Sequence, residues 1–374
     1  MNAERLQSII EFLLKAEEAT KIKDRLSALR THLTNLSSNP AYVDSQRQTV
    51  ESLNALATTV NTFVAGLSPA QKANIRSVKG HEYFSNEMVA DIKASLEKSS
   101  MTPGVVLQQV QKLFKDRQKY LETLRDVQES LNRLGIALEP LSPGEAEIGF
   151  LIPRSLFDNN LGEFQDELKT LNGIIRTFYE ISNITPEPID LRQLSSSDLI
   201  VVVAMRLGVI ITLGNAMKWC SDTIKATMDI KKLIDAARAL PVEQPIIDGL
   251  EGQMDKQIEP RVEAKVTEML NGYTGHPHRK NELKGSLENS LHLLLERVAN
   301  GMTVEIRLLP PPKKAEASPE EVERQAQFDQ LTEIAKSLDF PQIPPGHPML
   351  QITRREDDGD QAKRLGKAGK KTDE

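Results

Sequence analysis

Between Thr102 and Gly135, apolar residues recur at every seventh position: Val106, Leu113, Tyr120, Val127 and Leu134. Val110, Leu124 and Leu131 form a companion series, interrupted only by Arg117. Seven-residue recurrence sustained this long demands a helix that hides one stripe from water against other helices. Thr102 offers a capping hydroxyl, Pro103 suits the first helical position, and Gly135 suits the stop. Val106, Val110, Leu113, Tyr120, Leu124, Val127, Leu131 and Leu134 are therefore the candidate interaction residues. Arg117 would either specify register at such a seam or snorkel from its rim.

The chain before this helix follows the same rule. Ile22, Leu26, Leu29, Leu33 and Leu36 alternate steps of four and three, and Ser37 to Pro40 then break the pattern. A second helix, about 41 to 66, carries two series, Val43, Val50, Ala57, Val64 and Leu53, Val60, Leu67. Ser68-Pro69 opens a shorter helix. Ser85 caps another, whose Met88, Val89, Ile92 and Leu96 face inward. Residues 1–138 read as a coiled-coil-like helical bundle. Its short connections favour antiparallel neighbours within one chain, and pairing with a second chain is the competing arrangement.

From 139 to 312 the pattern becomes mixed α+β. Ile148, Phe150 and Ile152 alternate with Glu147, Gly149 and Leu151, and Met302, Val304, Ile306 and Leu308 alternate with Thr303, Glu305 and Arg307. A period of two is the signature of a strand. Strands are expected near 146–152, 188–194, 199–204 and 302–309, joined in one small sheet. Long amphipathic helices lie between them, one carrying Leu161, Phe164, Leu168, Leu171, Ile175, Phe178 and Ile181. Further helices carry Ile247 to Ile258 and Leu283 to Val298. The fold class expected is mainly α with a small α+β unit. Residues 313–352 supply a short helix, opened by the Ser318-Pro319-Glu320-Glu321 capping box, and a Pro-rich segment. Residues 353–374 are almost wholly charged or glycine and predict a disordered tail.

Segment 199–219 permits two readings. As one helix it approaches the roughly 20 apolar residues that span a bilayer. Arg206 opposes that, at about 2.5–3.5 kcal/mol in a membrane centre. The alternative is a buried strand over 199–204 followed by a buried helix from 207. On the membrane reading Trp219 and the nearby lysines would anchor at an interface; otherwise Trp219 is partly buried core.

Composition narrows function more by exclusion than by indication. Aromatics are only 4%, so Leu, Ile, Val and Ala must build the core. The net charge of -6 gives no nucleic-acid signal, since phosphate contacts need a basic surface. The single cysteine, Cys220, cannot make an internal disulfide and suggests a reducing, cytoplasmic setting. The N-terminus, with Glu4 and Arg5, does not read as a secretory signal. His276 and His278 with Glu282 lack the converging ligands a metal needs. No catalytic residue and no cofactor signature is predicted. The layout, helical oligomerisation modules beside a small α/β unit, resembles that of bacterial adaptor and conflict-system proteins, an analogy of layout alone. The expected function is a non-enzymatic scaffold or adaptor with a protein partner or homo-oligomer. A bacterial regulatory or defence system is the setting that layout suggests. The rivals are a membrane-associated effector using 199–219 and an enzyme with an unrecognised site.

Overall fold

A computed structural model describes residues 3–99, 102–136, 141–195, 199–238, 258–312 and 317–343. The helix expected over 247–258 (apart from Ile258) and the tail 353–374 lie outside the described residues. The chain is mainly α with one four-stranded antiparallel sheet. It divides into two compact units. Unit 1 comprises 1–151, 190–214 and 304–339, and unit 2 comprises 152–189, 215–303 and 340–374. The sheet thus groups with the N-terminal helices, a different partition from a linear boundary at 138/139.

Unit 1 begins with α1 (Ala3–Thr20), α2 (Ile22–Ser38) and α3 (Val43–Ala65). Three short helices follow, α4 (Pro69–Ser77), α5 (His81–Phe84) and α6 (Asn86–Lys98), and then α7 (Pro103–Arg133). The α2 stripe, Ile22, Leu26, Leu29, Leu33 and Leu36, is entirely buried, packed against α3 and α7. On α3 Leu53 and Val60 lie inside, as does Leu67 just past its end, whereas Val43 and Val50 point outward.

The buried face of α7 runs Pro103, Val106, Val110, Phe114, Arg117, Leu121, Leu124. Its seam follows Val110, Arg117 and Leu124. A straight α-helix drifts about 20° per heptad against a seven-residue repeat. The series starting at Val106 therefore rotates out of the core, and Leu134 ends 73% exposed. Phe114 and Leu121 take the inward places beside Leu113 and Tyr120.

Arg117 neither snorkels nor sits at a rim. It is 1% exposed. Its Nη2 donates to Glu17 Oε2, its guanidinium lies 4.7 Å from the Phe84 ring centroid, and its Nε donates to the Tyr83 carbonyl at 3.4 Å. Glu17 also accepts the Lys23 amide proton at 3.0 Å. That bond stabilises the break between α1 and α2, where Lys21 adopts the left-handed region at φ 53°. Such a conformation costs a non-glycine residue about 1–2 kcal/mol. One carboxylate thus ties α1, α2 and α7 together.

The sheet comprises β1 (Glu145–Leu151), β2 (Asp190–Ser195), β3 (Ile200–Ala204) and β4 (Thr303–Leu309), in the order β2-β3-β1-β4. In β1 the alternation is real but both faces are covered: Ala146 through Phe150 are all buried. In β3, Ile200 to Val203 are likewise buried, which accounts for the unbroken apolar run. β3 pairs β1 with Ile148 opposite Val203 and pairs β2 across a register shift between Leu191 and Gln193. After β3 the chain turns into α9 (Leu207–Arg238), so 199–219 is a strand followed by a helix. Among the described residues no helix is long and apolar enough to cross a membrane. Gly214 of α9 leaves room for α12 (Pro319–Ser337): a Cβ there would meet Ile334 Cγ2 at 2.9 Å.

Unit 2 contains α8 (Leu161–Ile181), the rest of α9, α10 (Ile258–Leu270) and α11 (Pro277–Ala299). Leu283, Leu287, Leu291, Leu294 and Val298 form its buried stripe on α11. Arg297 forms a bidentate pair with Glu167, both bonds 2.6 Å, with each side chain 6% exposed.

The Glu17–Arg117 pair carries a direct consequence. Removing one partner of a buried pair leaves an uncompensated charge, at about 3–5 kcal/mol. Urea denaturation should therefore show Arg117→Met to be strongly destabilised. Adding Glu17→Gln should restore most of the loss.

Candidate functional site

The face of the sheet that carries Glu147, Gly149, Glu305 and Arg307 meets α1 and α4 within unit 1. An alternating strand normally turns such charges to water. Here Glu147 is 3% exposed. Its Oε2 accepts from Arg307 Nη1 at 3.0 Å across the β1–β4 pairing. Glu305 lies over Gly149, where an added Cβ would meet its Cγ at 3.2 Å. Arg5 of α1 donates to Glu305 Oε2 at 3.0 Å and to Asn74 Oδ1 of α4 at 2.9 Å. Beside it Gln193 of β2 donates to Glu4 Oε2 at 2.7 Å.

Of these, Arg5, Asn74, Gln193, Glu305 and Arg307 border a cleft of about 600 Å³. Arg5, Ser8, Phe12 and Lys15 line it from one face of α1, as steps of three and four require. Ser68, Gln71 and Asn74 line it from α4. The α4 start is fixed by a reciprocal capping box: Gln71 N–H donates to Ser68 Oγ at 3.2 Å and Ser68 N–H to Gln71 Oε1 at 2.8 Å. Thr332 and Lys336 enter from α12, and Ile200 and Val202 give the sheet side an apolar patch. The walls combine fixed arginines, amides and apolar surface, a mixture suited to holding a small polar ligand.

The interaction residues predicted on α7 fall in three environments. Val106, Val110 and Leu124 are buried in the bundle's own core. Leu113, Tyr120 and Val127 are half-buried against it, Leu131 is half-buried, and Leu134 is exposed. Tyr120 donates to the Val78 carbonyl at 3.1 Å and packs on Tyr83 with centroids 4.8 Å apart. Burial, with smaller contributions from Tyr83 and Glu82, pushes its hydroxyl up to about 12.

Sequence reasoning passed over the cleft residues. Glu147, Glu305 and Arg307 registered only as the polar halves of alternating strands, and Arg5 only as a charge near the N-terminus. The available signal was charges of opposite sign, Glu147 and Glu305 against Arg307, on two alternating strands expected in one sheet.

His276 and His278 stack at 5.4 Å between centroids, and His276 Nδ1 accepts the His278 amide proton at 3.3 Å as the cap of α11. Among the described residues, no group of three or more His, Cys, Asp and Glu side chains is placed to hold a metal. No protein-family model matches the chain, and neither a curated protein nor a solved structure matches it significantly.

Cys220 is fully buried on α9 within unit 2. Burial pushes its thiol well above the ordinary range, with Lys265 opposing weakly. Since the thiolate is the reactive form, the native protein should resist Ellman's reagent and react in full once unfolded by guanidinium. Rapid labelling of the native chain would contradict this burial.

Proposed function

We propose that this chain is a non-enzymatic scaffold or adaptor that associates through the outer surface of its helical bundle. The carrying observation is the placement of Val43 and Val50, one heptad apart on α3 and 71% and 51% exposed. Tyr42 and Val105 are also more than half exposed. The start of α7 adjoins the end of α2, because a Cβ on Gly104 would lie 3.4 Å from Ser37 Oγ. Val105 therefore sits near the turn that carries Tyr42 and Val43. The α7 stripe is largely occupied within the chain, which leaves this outward apolar surface for docking.

The favoured occupant is a second copy. A stripe of two valines a heptad apart can meet itself about a twofold axis, with each helix filling the other's gaps. The carboxylates above the sheet support a binding role over catalysis, because Glu147 and Glu305 are engaged by arginines. A general base needs a carboxylate within reach of a substrate proton.

Light scattering on the full-length chain should give a mass above the monomer that rises with concentration. Val43→Asp with Val50→Asp should return it to monomer with little loss of stability, since both sites are exposed. A monomer at every concentration would reject self-association. An unchanged oligomer in the double variant would reject this surface.

A further inference from the structure

We infer that the cleft above the sheet in unit 1 binds a small anionic molecule carrying a phosphate or carboxylate together with a hydrogen-bond donor. Its volume, about 600 Å³, falls within the range of about 300–1,000 Å³ typical of small-molecule sites. Charge sets the ligand's sign. Arg5, Lys15, Arg307 and Lys336 line the cleft against two carboxylates, Glu11 and Glu305. Each of these cations already has a carboxylate partner, so what an anion gains rests on how readily the two lysines exchange theirs.

The four cations divide into two kinds. Arg5 and Arg307 are held by Glu305 and Glu147, which fixes their planes before any ligand arrives. Among the described residues, Lys15 and Lys336 pair within their own helices, with Glu11 and Glu333 at 2.5 and 2.9 Å, and the carboxylates of both pairs are solvent-exposed. Exposed pairs of this sort contribute little, so either ammonium can turn to an incoming anion at small cost. Rigid floor arginines and swinging rim lysines together suit an oxyanion group entering from solvent.

A second observation comes from Gln7, which also lines the cleft and is 93% buried (relative exposure 7%). Its Nε2 donates to Asn132 Oδ1, but its Oε1 accepts no hydrogen bond from any described residue. A buried acceptor without a partner is costly, and a ligand hydroxyl or amine would satisfy it. Ile200 and Val202 offer an apolar surface for the remainder of the molecule.

The test uses the full chain and the probes adenosine monophosphate, citrate, inorganic phosphate and uncharged adenosine, read by thermal shift and titration calorimetry. A ligand that binds only the folded state raises the melting temperature. The expected result is a saturable shift with adenosine monophosphate, citrate or phosphate and none with adenosine. Which anion acts separates a phosphate from a carboxylate ligand. Lys15→Glu with Lys336→Glu should weaken binding about tenfold or more while leaving the unliganded melting temperature nearly unchanged. No shift with any of the three anions overturns the inference. So does adenosine binding as tightly as its monophosphate, or binding unaltered in the double variant.

Discussion

Among the described residues, two arginine–glutamate pairs are buried and two more are partly buried, and each joins separate elements of the fold. Arg117 and Glu17 join α7 to the α1–α2 junction, and Arg5 and Glu305 join α1 to β4. Arg307 and Glu147 join β4 to β1, and Arg297 and Glu167 join α11 to α8. Taking such ions out of water costs several kcal/mol each, repaid only by close geometry and additional hydrogen bonds. Three of the pairs have such bonds: Glu17 also caps α2, Arg5 also donates to Asn74, and Arg297 also donates to the Leu293 carbonyl at 3.0 Å, while Arg117 Nη1 is buried with no partner among the described residues. An ion pair bonds well in one geometry only, so these pairs add a preference for one alignment of the apolar surfaces.

Periodicity made most of the architecture legible. The α2 stripe, the capping boxes at Ser68 and Ser318, and the four strands could all be read because each is a local pattern. The apolar run Leu199 to Val203 became a strand because β3 lies between β1 and β2 and is covered on both faces. What could not be read was tertiary. Whether Val106 and Leu134 share an environment depends on the rotation accumulated along a straight helix, which repeat counting ignores. Arg117 looked like a flaw in a seam because its partner, Glu17, lies 100 residues away.

The cleft was hidden for a related reason. Alternation in β1 and β4 marks one face as polar, and a polar face is ordinarily a wet one. Only α1 and α4, which bring Arg5 and Asn74 to that face, turn Glu305 and Arg307 into the wall of a recess. Gly149 is part of the same arrangement, since its missing side chain leaves room for Glu305. The surface proposed for association and the cleft proposed for a ligand use different residues of unit 1, so each can fail without the other.

Hydrogen exchange measured by mass spectrometry on the wild-type chain and on Arg5→Ala tests this account most directly. If the Arg5–Glu305 pair aligns the sheet with the N-terminal helices, the variant will lose protection in α1 and in β4 together, while α10 and α11 keep theirs. Unchanged protection of β4 in the variant would contradict the claim that this ion pair holds the two elements in register.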